Sequence, residues 1–590
     1  MQSIWTIKKI NGDLTPLVKR TGIDPLFIKI LINRGIKDEK DILKFFKGDL
    51  DSLYEPYLMK DMEKGISIIK NAIERDRYIA VYGDYDVDGV SSTVILYKGL
   101  KRCGAKVKYH VPDREDEGYG MSIERIKKLK EEGVEVIITC DNGISALEEV
   151  KYAVGLGMEV VVTDHHQPPF NQLENGEKEY VLPNAHAVIN PNRRDCEYPF
   201  KLLCGAAISY KFIQALYRLF NINNNETYEL LQYAAIASVC DVVDLIDENR
   251  IIVKEGLKLI NKTESIGLKA LLKSIGILDK EVKAYNIGFQ IGPCINATGR
   301  LETAALAIEL FLCEDEKKAE SLANNLYELN KKRKDMTSEN VEAIIKELNL
   351  KTDSTDKVIV IYRKEVHESI AGIVAGRVKE HFNLPTIVLT DGKEMPKGSA
   401  RSIEEYNMFE ELFKCKDLLH KFGGHPMAAG LSIEEENIDK LRETLNANCS
   451  LEENDIMPKV KLDSTLPRNF NNSKFMAYLE ILEPYGKGNS KPLFGEKNIE
   501  VLKLNLIGKN KNVLKMNLKV GYDILSAIMF NNIDSFMESI RRNYGEDILQ
   551  SLLNQEVRGV YMDFVFYLDI NNFLGKKSVQ LIIKDFRIEK

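Results

Sequence analysis

Residues 78–89 read YIAVYGDYDVDG, a short apolar run that leads directly into three alternating carboxylates, Asp84, Asp86 and Asp88. Alternate side chains of an extended or looping backbone point the same way, and Gly89 permits the tight turn that follows. The residues after Gly89 have the pattern of a helix, whose N-terminus would favour an anionic group such as phosphate. The stretch therefore predicts a strand, a carboxylate-bearing loop and a helix in direct succession.

Three further polar segments follow apolar runs in the same way. They are CDNG at 140–143, TDHH at 163–166 and SVCDVVDL at 238–245. The first two follow runs typical of buried strands, and the third follows an alanine-rich run that we interpret as a helix. The carboxyl ends of parallel strands share one edge of a sheet, where open α/β folds bind ligands. We therefore expect the strand-borne segments to lie together, and we infer that the fourth joins them.

Carboxylate oxygens and imidazole nitrogens, with no thiolate pattern beside them, suit Mn²⁺ or Mg²⁺ better than Zn²⁺. Two such ions about 3.5–4 Å apart can share one carboxylate, activate water and neutralise charge on a phosphorus atom. We choose Asp141 as the shared ligand. The chemistry indicated is metal-assisted phosphoester hydrolysis.

Each segment alone has an ordinary alternative. The DxDxDG pattern also occurs in calcium-binding loops, but no glutamate stands at the twelfth position of such a loop here. Asp-Asn-Gly is common turn chemistry, paired histidines after a strand can be capping or core residues, and Asp241 can cap a helix. Their joint occurrence at one predicted sheet edge favours the metal site.

The size and composition of the chain set limits on its class. With 590 residues it is too long for one hydrophobic core and indicates three or four domains. Its formal net charge of -7 means that any contact with nucleic acid must come from a local basic surface. Its nine cysteines form no CxxC pair, which favours a reducing cytoplasm. No apolar run of about 18 residues and no signal-peptide pattern occur, so we expect a soluble cytoplasmic protein without a membrane partner.

The pattern along the chain predicts an α/β protein with a parallel-sheet domain, a long connecting helix, a smaller α/β domain and a C-terminal β-barrel of the OB type. The helix prediction rests on dense charge with few breakers, and the barrel prediction on alternating short strands from about residue 459 onward. In the smaller domain, GSARS at 398–402 and GGHPMAAG at 423–430 are interpreted as loops. The expected boundaries are 1–60 for an N-terminal helical segment, 61–310 for the parallel-sheet domain, 311–350 for the connecting helix, 351–455 for the smaller domain and 456–590 for the barrel.

The order GDYDVDG, CDNG, TDHH, SVCD resembles the DHH phosphoesterase superfamily, and GGHPMAAG resembles its associated DHHA1 domain. Five further stretches are similar to the RecJ exonucleases, a bacterial family, and this similarity spans nearly the whole chain. They are INRGIKD at 32–38, PDREDEGYG at 112–120, GPCINATGRL at 292–301, EPYGKGNSKPLF at 483–494 and VQLIIKD at 579–585. The resemblance implies a DHH domain, a DHHA1 domain and a nucleic-acid-binding OB domain in that order.

The resemblance implies a 5′-to-3′ exonuclease specific for single-stranded DNA, which releases 5′-mononucleotides with two Mn²⁺ or Mg²⁺ ions and acts in DNA repair and recombination. Positions that match the family's metal ligands are Asp84, Asp86, Asp88, Asp141, His165 and Asp241, with Asp84 as a secondary ligand. All but Asp84 form the expected catalytic set, together with His166, which in relatives faces the scissile phosphate. Asp164 is expected to orient a histidine. Positions that match the pocket for the 5′-terminal phosphate are Arg114, Arg300, Ser399 and Arg401, and Gly424 and His425 are expected to contact the strand.

The chain departs from the family pattern at two positions. Cys294 stands where the family commonly has arginine, so one phosphate or strand contact is expected to be missing. Asp244 replaces a usual proline and adds a carboxylate near Asp241. A third position, Tyr82, stands where smaller DHH enzymes place a histidine ligand, a substitution expected in this branch.

Two other functions stay open at this point. A DHH enzyme for short oligoribonucleotides, cyclic dinucleotides or pyrophosphate would need no barrel, whereas residues 459–590 are present here. A catalytically weak single-strand-binding repair subunit would not need every ligand. The main hypothesis takes single-stranded DNA as the partner, and it leaves a helicase and a single-strand-binding protein as open further partners. Candidate strand contacts on the barrel are Lys509, Lys511, Lys515 and Tyr522.

Overall fold

The computed structural model describes residues 3–9, 12–114, 117–118, 120–173, 177–350, 356–467, 470, 472–508, 510–573 and 576–588. The chain forms two compact units. The larger is Asp49–Ile456, and the smaller combines Met1–Gly48 with Met457–Lys590. Among the described residues, no helix is both long enough and apolar enough to cross a membrane.

The larger unit is built around a parallel sheet of five strands, which confirms the predicted sheet. In spatial order the strands are Val107–His110, Ile79–Tyr82, Val136–Cys140, Glu159–Thr163 and Ala187–Ile189. The helices before, between and after these strands are Met62–Glu74, Val87–Arg102, Ile123–Glu131, Leu147–Gly155 and Gly205–Leu219. Two short strands, Phe170–Gln172 and Lys178–Tyr180, form a separate antiparallel pair.

Side chains of the interior strand Ile79–Tyr82 alternate between the two faces of the sheet. Ile79 and Val81 pack in one apolar core, and Ala80 and Tyr82 pack in another. All four residues are buried, because a parallel sheet is covered by helices on both faces. The loop that follows Tyr82 therefore starts at the carboxyl edge of a sheet that is held on both sides.

Helices follow the sheet as far as residue 350. They are Leu231–Cys240, Asp247–Ile260, Ile266–Ser274, Ala284–Asn286, Gly292–Leu301, Ala305–Leu312 and Glu316–Leu350, with a π-helical turn at Ile287–Ile291. The last helix has 35 residues and is therefore roughly 50 Å long. The long connecting helix is thus found, and Ala319, Ala323 and Leu326 on one side of it are fully buried.

The second sheet has five strands and lies in the same unit. In spatial order they are Lys421–His425, Ala428–Ser432, Lys397–Arg401, Thr386–Thr390 and Ile359–Tyr362, of which only the last two pair in parallel. Accompanying helices are Ala371–Phe382, Met408–Lys414, Ile438–Asn448 and Glu453–Ile456.

The interpretation of GSARS and GGHPMAAG as loops is wrong. Four of the five GSARS residues lie in the strand Lys397–Arg401, and GGHPMAAG forms most of a hairpin of two strands. A Cβ at Gly398 would lie 2.8 Å from the side chain of Leu389 and 2.9 Å from that of Leu431. Close packing within a sheet, rather than a turn, therefore explains this glycine.

The smaller unit contains a closed barrel of five strands, as predicted. Around the barrel they are Leu493–Ile507, Val513–Val520, Asp523–Met529, Lys576–Arg587 and Tyr561–Phe573, and the last pairs with the first. A short strand, Ser464–Thr465, and the helices Ser473–Leu482, Ile533–Tyr544 and Glu546–Asn554 accompany it. Tyr522 is fully exposed at a turn between two strands, and Lys509 lies outside the described residues.

The N-terminal residues also belong to the smaller unit. Strand Ile4–Ile7 pairs in parallel with Lys459–Leu462. The helices that follow it are Thr15–Thr21, Pro25–Asn33 and Glu39–Lys47. The ring of Phe27 stacks on that of Tyr478 with centroids 4.6 Å apart, so the N-terminal helices share a core with residues late in the chain.

Candidate metal centre and phosphate pocket

The four polar segments meet at the carboxyl edge of the parallel sheet. Their ligand atoms form three groups, each within 4.8 Å: Asp84, Asp86 and Asp141; Asp88, His165 and Asp241; and Asp141, His165 and His166. Nε2 of His165 lies 3.1 Å from Oδ1 of Asp141. The same nitrogen lies 3.6 Å from Asp88 and 3.8 Å from Asp241. Asp141 therefore joins the first group of ligand atoms to the second.

Asp86 is fixed by the helix that follows it. It is the N-cap of helix Val87–Arg102, and its Oδ1 accepts the backbone N–H groups of Asp88 at 2.8 Å and of Gly89 at 3.0 Å. A Cβ at Gly89 would lie 2.4 Å from the carbonyl oxygen of Asp84, because the loop folds back on the first turn of the helix. Glycine is thus required at this position by close backbone approach.

Asp88 is held by a second helix that begins far along the chain. Its two carboxylate oxygens accept the backbone N–H groups of Gly205 at 2.6 Å and Ala206 at 2.7 Å, where helix Gly205–Leu219 starts. A Cβ at Gly205 would lie 2.8 Å from the Cβ of Asp141. This helix start therefore orients Asp88 and packs against Asp141. Sequence reasoning missed it, since a glycine that opens an apolar helix carries no signal for a ligand.

Asp141 has the left-handed backbone conformation of a turn, with a φ of 62°. Such a φ is tolerated by aspartate and asparagine more readily than by most residues. The side-chain Nδ2 of the next residue, Asn142, donates to the carbonyl of Tyr82 at 3.1 Å. The turn is thereby tied to the neighbouring strand. Asp-Asn-Gly is therefore both a turn and the position of a candidate ligand.

Asp241 stands at the end of helix Leu231–Cys240. Its backbone N–H donates to the carbonyl of Ala237 at 2.8 Å, and the next residue, Val242, has a φ of 57°. A β-branched residue rarely adopts this conformation, so the chain turns sharply under strain directly after this candidate ligand. The helix end and this turn together place Asp241 beside His165.

Asp164 binds the histidine pair rather than joining the ligand groups. Its Oδ1 accepts the backbone N–H of His165 at 2.7 Å and lies 2.7 Å from Nδ1 of His166. Burial alone would raise the pKa of Asp164, but the hydrogen bond and charge of His166 bring it below its usual value. Burial alone would lower the pKa of His166, whereas Asp164 raises it to about 9. His166 therefore carries a positive charge at neutral pH.

The carboxylates of the centre are crowded and buried. Burial and the charge of Asp86 raise the pKa of Asp84 to about 7. Burial and the charge of Asp88 raise the pKa of Asp86, and burial followed by the same neighbours raises that of Asp141 well above its usual range. Burial lowers the pKa of His165. A divalent cation bound here would neutralise the negative charge of these crowded carboxylates.

The residues present fit Mn²⁺ or Mg²⁺. Oδ1 of Asp84 and Nε2 of His165 are buried and have no hydrogen-bond partner in the part of the chain that the structure describes. Burial raises the pKa of the nearby thiols of Cys140, Cys204 and Cys240, and adjacent carboxylates raise it further. These thiols stay protonated, so the donor set is oxygen and imidazole nitrogen.

A cavity of about 450 Å³ lies next to the metal centre. Tyr85, which stands between two candidate ligands in the sequence, lines it together with Arg114 and Ser399. The guanidinium carbon of Arg114 lies 5.1 Å from the ring centroid of Tyr85. Further lining residues that the sequence did not single out are Ser369, Lys397, Lys421 and Phe422. The cavity is thus cationic and begins beside the loop of the metal centre.

Arg300 and Arg401 lie beside the same cavity. Nη1 of Arg300 donates to the carbonyl of Ser369. A Cβ at Gly372, in the first turn of helix Ala371–Phe382, would lie 2.7 Å from the guanidinium of Arg401 and 3.5 Å from the hydroxyl of Ser399. Burial, then the charges of Arg114 and other arginines, lower the pKa of Arg300 to about 10. Cations gathered at a helix N-terminus form a site for an anion.

Gly424 and His425 lie at the exposed end of the hairpin. His425 is exposed, and the neighbouring glycines Gly423 and Gly430 line the cavity. Gly424 has a φ of 151°, and a Cβ there would lie 2.4 Å from the carbonyl oxygen of Ala428. The shape of the hairpin therefore accounts for Gly424, and its contact with a strand stays a prediction.

Cys294 is buried and has a side-chain partner. Its sulfur accepts Nδ2 of Asn330 at 3.3 Å, and Oδ1 of Asn330 accepts Nε and Nη2 of Arg333 at 3.1 and 2.9 Å. Asn330 thereby links Cys294 to an arginine of the long helix, and the missing phosphate or strand contact at Cys294 stays a prediction. Asp244 has a structural contact, since its carbonyl accepts Nδ2 of Asn249 at 3.1 Å.

Comparison with known proteins gives three domain matches and close relatives. Residues 78–238 match the DHH family N-terminal domain, residues 355–451 the DHHA1 domain, and residues 462–585 the RecJ OB domain. A single-stranded-DNA-specific exonuclease RecJ of Bacillus subtilis (strain 168) is 35% identical over 591 residues, covering 99% of this chain and 71% of that protein. The protein of that name from Salmonella typhimurium is 32% identical, covering 98% of this chain and 96% of that protein.

Solved structures agree with these matches. The crystal structure of RecJ in complex with Mn²⁺ from Thermus thermophilus has a TM-score of 0.79 and 25% sequence identity. It covers 100% of this chain and 80% of that chain. The similarity therefore extends through the parallel sheet, the second sheet and the barrel.

Proposed function

The chain belongs to the RecJ family of single-stranded-DNA-specific exonucleases, and from this membership we propose how its residues hydrolyse DNA. The strand is degraded from its 5′ end, and 5′-mononucleotides are released in DNA repair and recombination. The observation that carries this proposal is a pair of ligand groups joined through Asp141 and placed beside a cationic cavity.

We infer from the ligand groups which side chains would hold each of two cations. Asp84, Asp86 and Asp141 would hold one ion, and Asp88, His165 and Asp241 the other, with Asp141 shared. When bound, Mn²⁺ or Mg²⁺ supplies activation of water and neutralises charge at the phosphorus. Buried atoms that lack hydrogen-bond partners among the described residues, Oδ1 of Asp84 and Nε2 of His165, support this assignment.

His166 acts on the phosphate rather than on a cation. Its side chain is partly exposed, its Nδ1 is engaged by Asp164, and its raised pKa keeps it positively charged at neutral pH. A charged N–H group beside the ligand groups can donate a hydrogen bond to a phosphate oxygen, and this bond strengthens as negative charge develops there.

The cationic cavity binds the 5′-terminal phosphate. Arg114 and Ser399 line it, Arg300 contacts the lining residue Ser369, and Arg401 lies beside Gly372. Guanidinium groups bind phosphate oxygens in pairs. Tyr85 lies between this cavity and the metal centre, so a strand held by its end phosphate presents a phosphodiester to the ligand groups. The reaction then recurs each time the strand advances.

The test uses the purified full-length protein with Mn²⁺ and labelled substrates. We expect 5′-phosphorylated single-stranded DNA to be degraded to mononucleotides, with slow or no hydrolysis of duplex, dinucleotides or pyrophosphate, and with complete loss of activity in EDTA. Preference for dinucleotides over long strands would overturn the proposal. Binding of the strand without turnover would instead favour a single-strand-binding subunit.

We further propose a cytoplasmic location and an association with a helicase or a single-strand-binding protein. The family's substrate supports both, since single strands arise when duplex DNA is unwound. Co-purification from cells with tagged protein, repeated after nuclease treatment to remove bridging DNA, tests the association.

A further inference from the structure

Two aromatic rings stand stacked in solvent at one side of the larger unit. Tyr285 is 66% exposed and Phe289 is 63% exposed, and their ring centroids lie 4.7 Å apart with 26° between the planes. Large apolar groups left together in solvent mark interaction sites. Exposed ring faces are the groups on which unpaired bases stack without regard to sequence.

The backbone that carries Phe289 is a π-helical turn, Ile287–Ile291, whose end residues are fully buried. π-helical turns occur frequently at functional sites. The thiol of Cys240 donates to the carbonyl of Ile287 at 3.8 Å, and a Cβ at Gly292 would lie 2.3 Å from the same sulfur. Since Cys240 directly precedes the candidate ligand Asp241, the aromatic pair is anchored next to the metal centre.

A basic cleft adjoins the ring of Phe289. The cleft has a volume of about 610 Å³ and is lined by four cationic side chains, Arg300, Arg333, Lys334 and Arg377, against one carboxylate, Glu342. Arg300 also approaches the proposed phosphate pocket, and Asn330 holds Arg333 through two hydrogen bonds. The charge of the cleft complements a phosphate backbone.

We propose that Tyr285 and Phe289 form a base-stacking platform that holds the single strand as it passes between the metal centre and the basic cleft. The platform rests on the proposed function and adds to it a binding site outside the metal centre and the phosphate pocket. Stacked ring faces beside guanidinium groups match planar bases on an anionic chain. An acidic peptide would use the cations and leave the rings without a planar partner.

The experiment measures binding of 5′-phosphorylated dT₂₀ in EDTA, where the strand is not hydrolysed, by fluorescence anisotropy. Loss of one stacked base predicts that Phe289→Ala weakens the affinity about 5- to 100-fold. Phe289→Trp should bind as wild type, and Phe289→Leu should bind as weakly as Phe289→Ala. A 2-aminopurine base scanned along the strand should be quenched by stacking at a fixed position, and this quenching should disappear with Ala or Leu.

Tyr57→Ala is the matched control, since Tyr57 is also exposed. The hydroxyl of Tyr57 donates to the carbonyl of Ala215. Ala215 is ten residues beyond Gly205, so this contact lies roughly 15 Å along the helix from the end that holds Asp88. This variant should bind dT₂₀ as wild type. Circular dichroism and thermal melting check that every variant is folded.

Three outcomes would overturn the platform. In the first, Phe289→Ala binds dT₂₀ with wild-type affinity, and in the second, Phe289→Leu binds it as tightly as the wild type. In the third, Phe289→Ala weakens binding of poly-glutamate but not of dT₂₀. Failure of the proposed function looks different: wild-type protein would bind dT₂₀ with quenching but would not degrade it when Mn²⁺ is added.

Discussion

Nδ1 of His166 lies 2.7 Å from Oδ1 of Asp164, and this contact raises the pKa of His166 to about 9 although burial opposes it. The same oxygen accepts the backbone N–H groups of His165 and His166, so Asp164 sets both the charge and the position of the pair. A buried carboxylate thus turns a histidine, which is ordinarily neutral at pH 8, into a cation beside the metal ligands.

Asp164→Asn should lower the pKa of His166, because the amide keeps a hydrogen-bond acceptor but removes the negative charge. Protonated His166 is fully present below its folded pKa and is lost as pH rises through about 9 in the wild type. The variant should therefore lose activity at lower pH, with kcat at pH 8 reduced about tenfold or more. The pH profile of kcat measures this, with exposed Asp439→Asn as control, and superimposable profiles would refute the role of Asp164.

Asp141→Ala should abolish turnover, with a loss of at least about 10³-fold, since Asp141 belongs to one ligand group and lies 3.1 Å from His165 of the other. Folding should be retained, because the change also removes one of several crowded negative charges. Single-turnover hydrolysis and Mn²⁺ titration by calorimetry measure the effect. Near-normal rates, or unchanged metal stoichiometry, would show that Asp141 is not the shared ligand.

Asp84→Asn should stabilise the metal-free protein above neutral pH. The folded pKa of Asp84 is about 7 against an ordinary 3.8, so folded protein retains a proton that the unfolded chain loses between these values. The contribution of Asp84 to the free energy of unfolding therefore falls as pH rises towards 7. In EDTA, the wild type should melt at a lower temperature at pH 8 than at pH 5.5, and the variant should show a smaller difference. Mn²⁺ should raise the melting temperature of the wild type most at pH 8.

Gly372→Ala should weaken recognition of a 5′ phosphate without changing any charge, because its Cβ would lie 2.7 Å from the guanidinium of Arg401. The matched control is Gly376→Ala, one turn later in the same helix, where the Cβ would lie 4.0 Å from Arg401. Both changes should raise helix propensity by roughly 0.5–1 kcal/mol, so a difference between them would come from the contact with Arg401. If the preference for phosphorylated over hydroxyl ends, measured as the ratio of kcat/KM values, were the same in the two variants, the space beside Gly372 would not be needed for phosphate recognition.

Arg401→Glu should remove most discrimination between phosphorylated and hydroxyl 5′ ends, since a carboxylate would repel the end phosphate. The charge-matched control, Lys364→Glu, changes an exposed lysine that pairs with Glu435 on the same domain. Competition between the two labelled strands measures the preference. An unchanged preference in Arg401→Glu would remove this arginine from the pocket.

The sequence predicts those residues of the site that directly follow a strand. Asp84, Asp141 and His165 each come after an apolar run, and strand order alone carries them to one edge of the sheet. The support of Asp88 by Gly205 could not be predicted, since the two residues are 117 positions apart and a backbone N–H donor has no sequence signature.

The main errors in the predicted fold concern glycines. Gly398 reads as a turn residue, but its neighbours Leu389 and Leu431 leave no space for a side chain within the sheet. A local sequence pattern indicates where the backbone can turn, but it does not indicate how much space surrounds a residue in the fold. The aromatic pair at Tyr285 and Phe289 was missed for a related reason, because periodicity does not reveal which rings a π-helical turn leaves exposed.

The pairing of Ile4–Ile7 with Lys459–Leu462 has a consequence for synthesis on the ribosome. At about 5–20 residues per second, the first strand emerges roughly 20 to 90 s before its partner has been translated. Throughout that interval the intervening Asp49–Ile456 unit can complete its fold, while the leading strand presents an unsatisfied edge. In nascent chains this strand should therefore need protection until its partner has been translated.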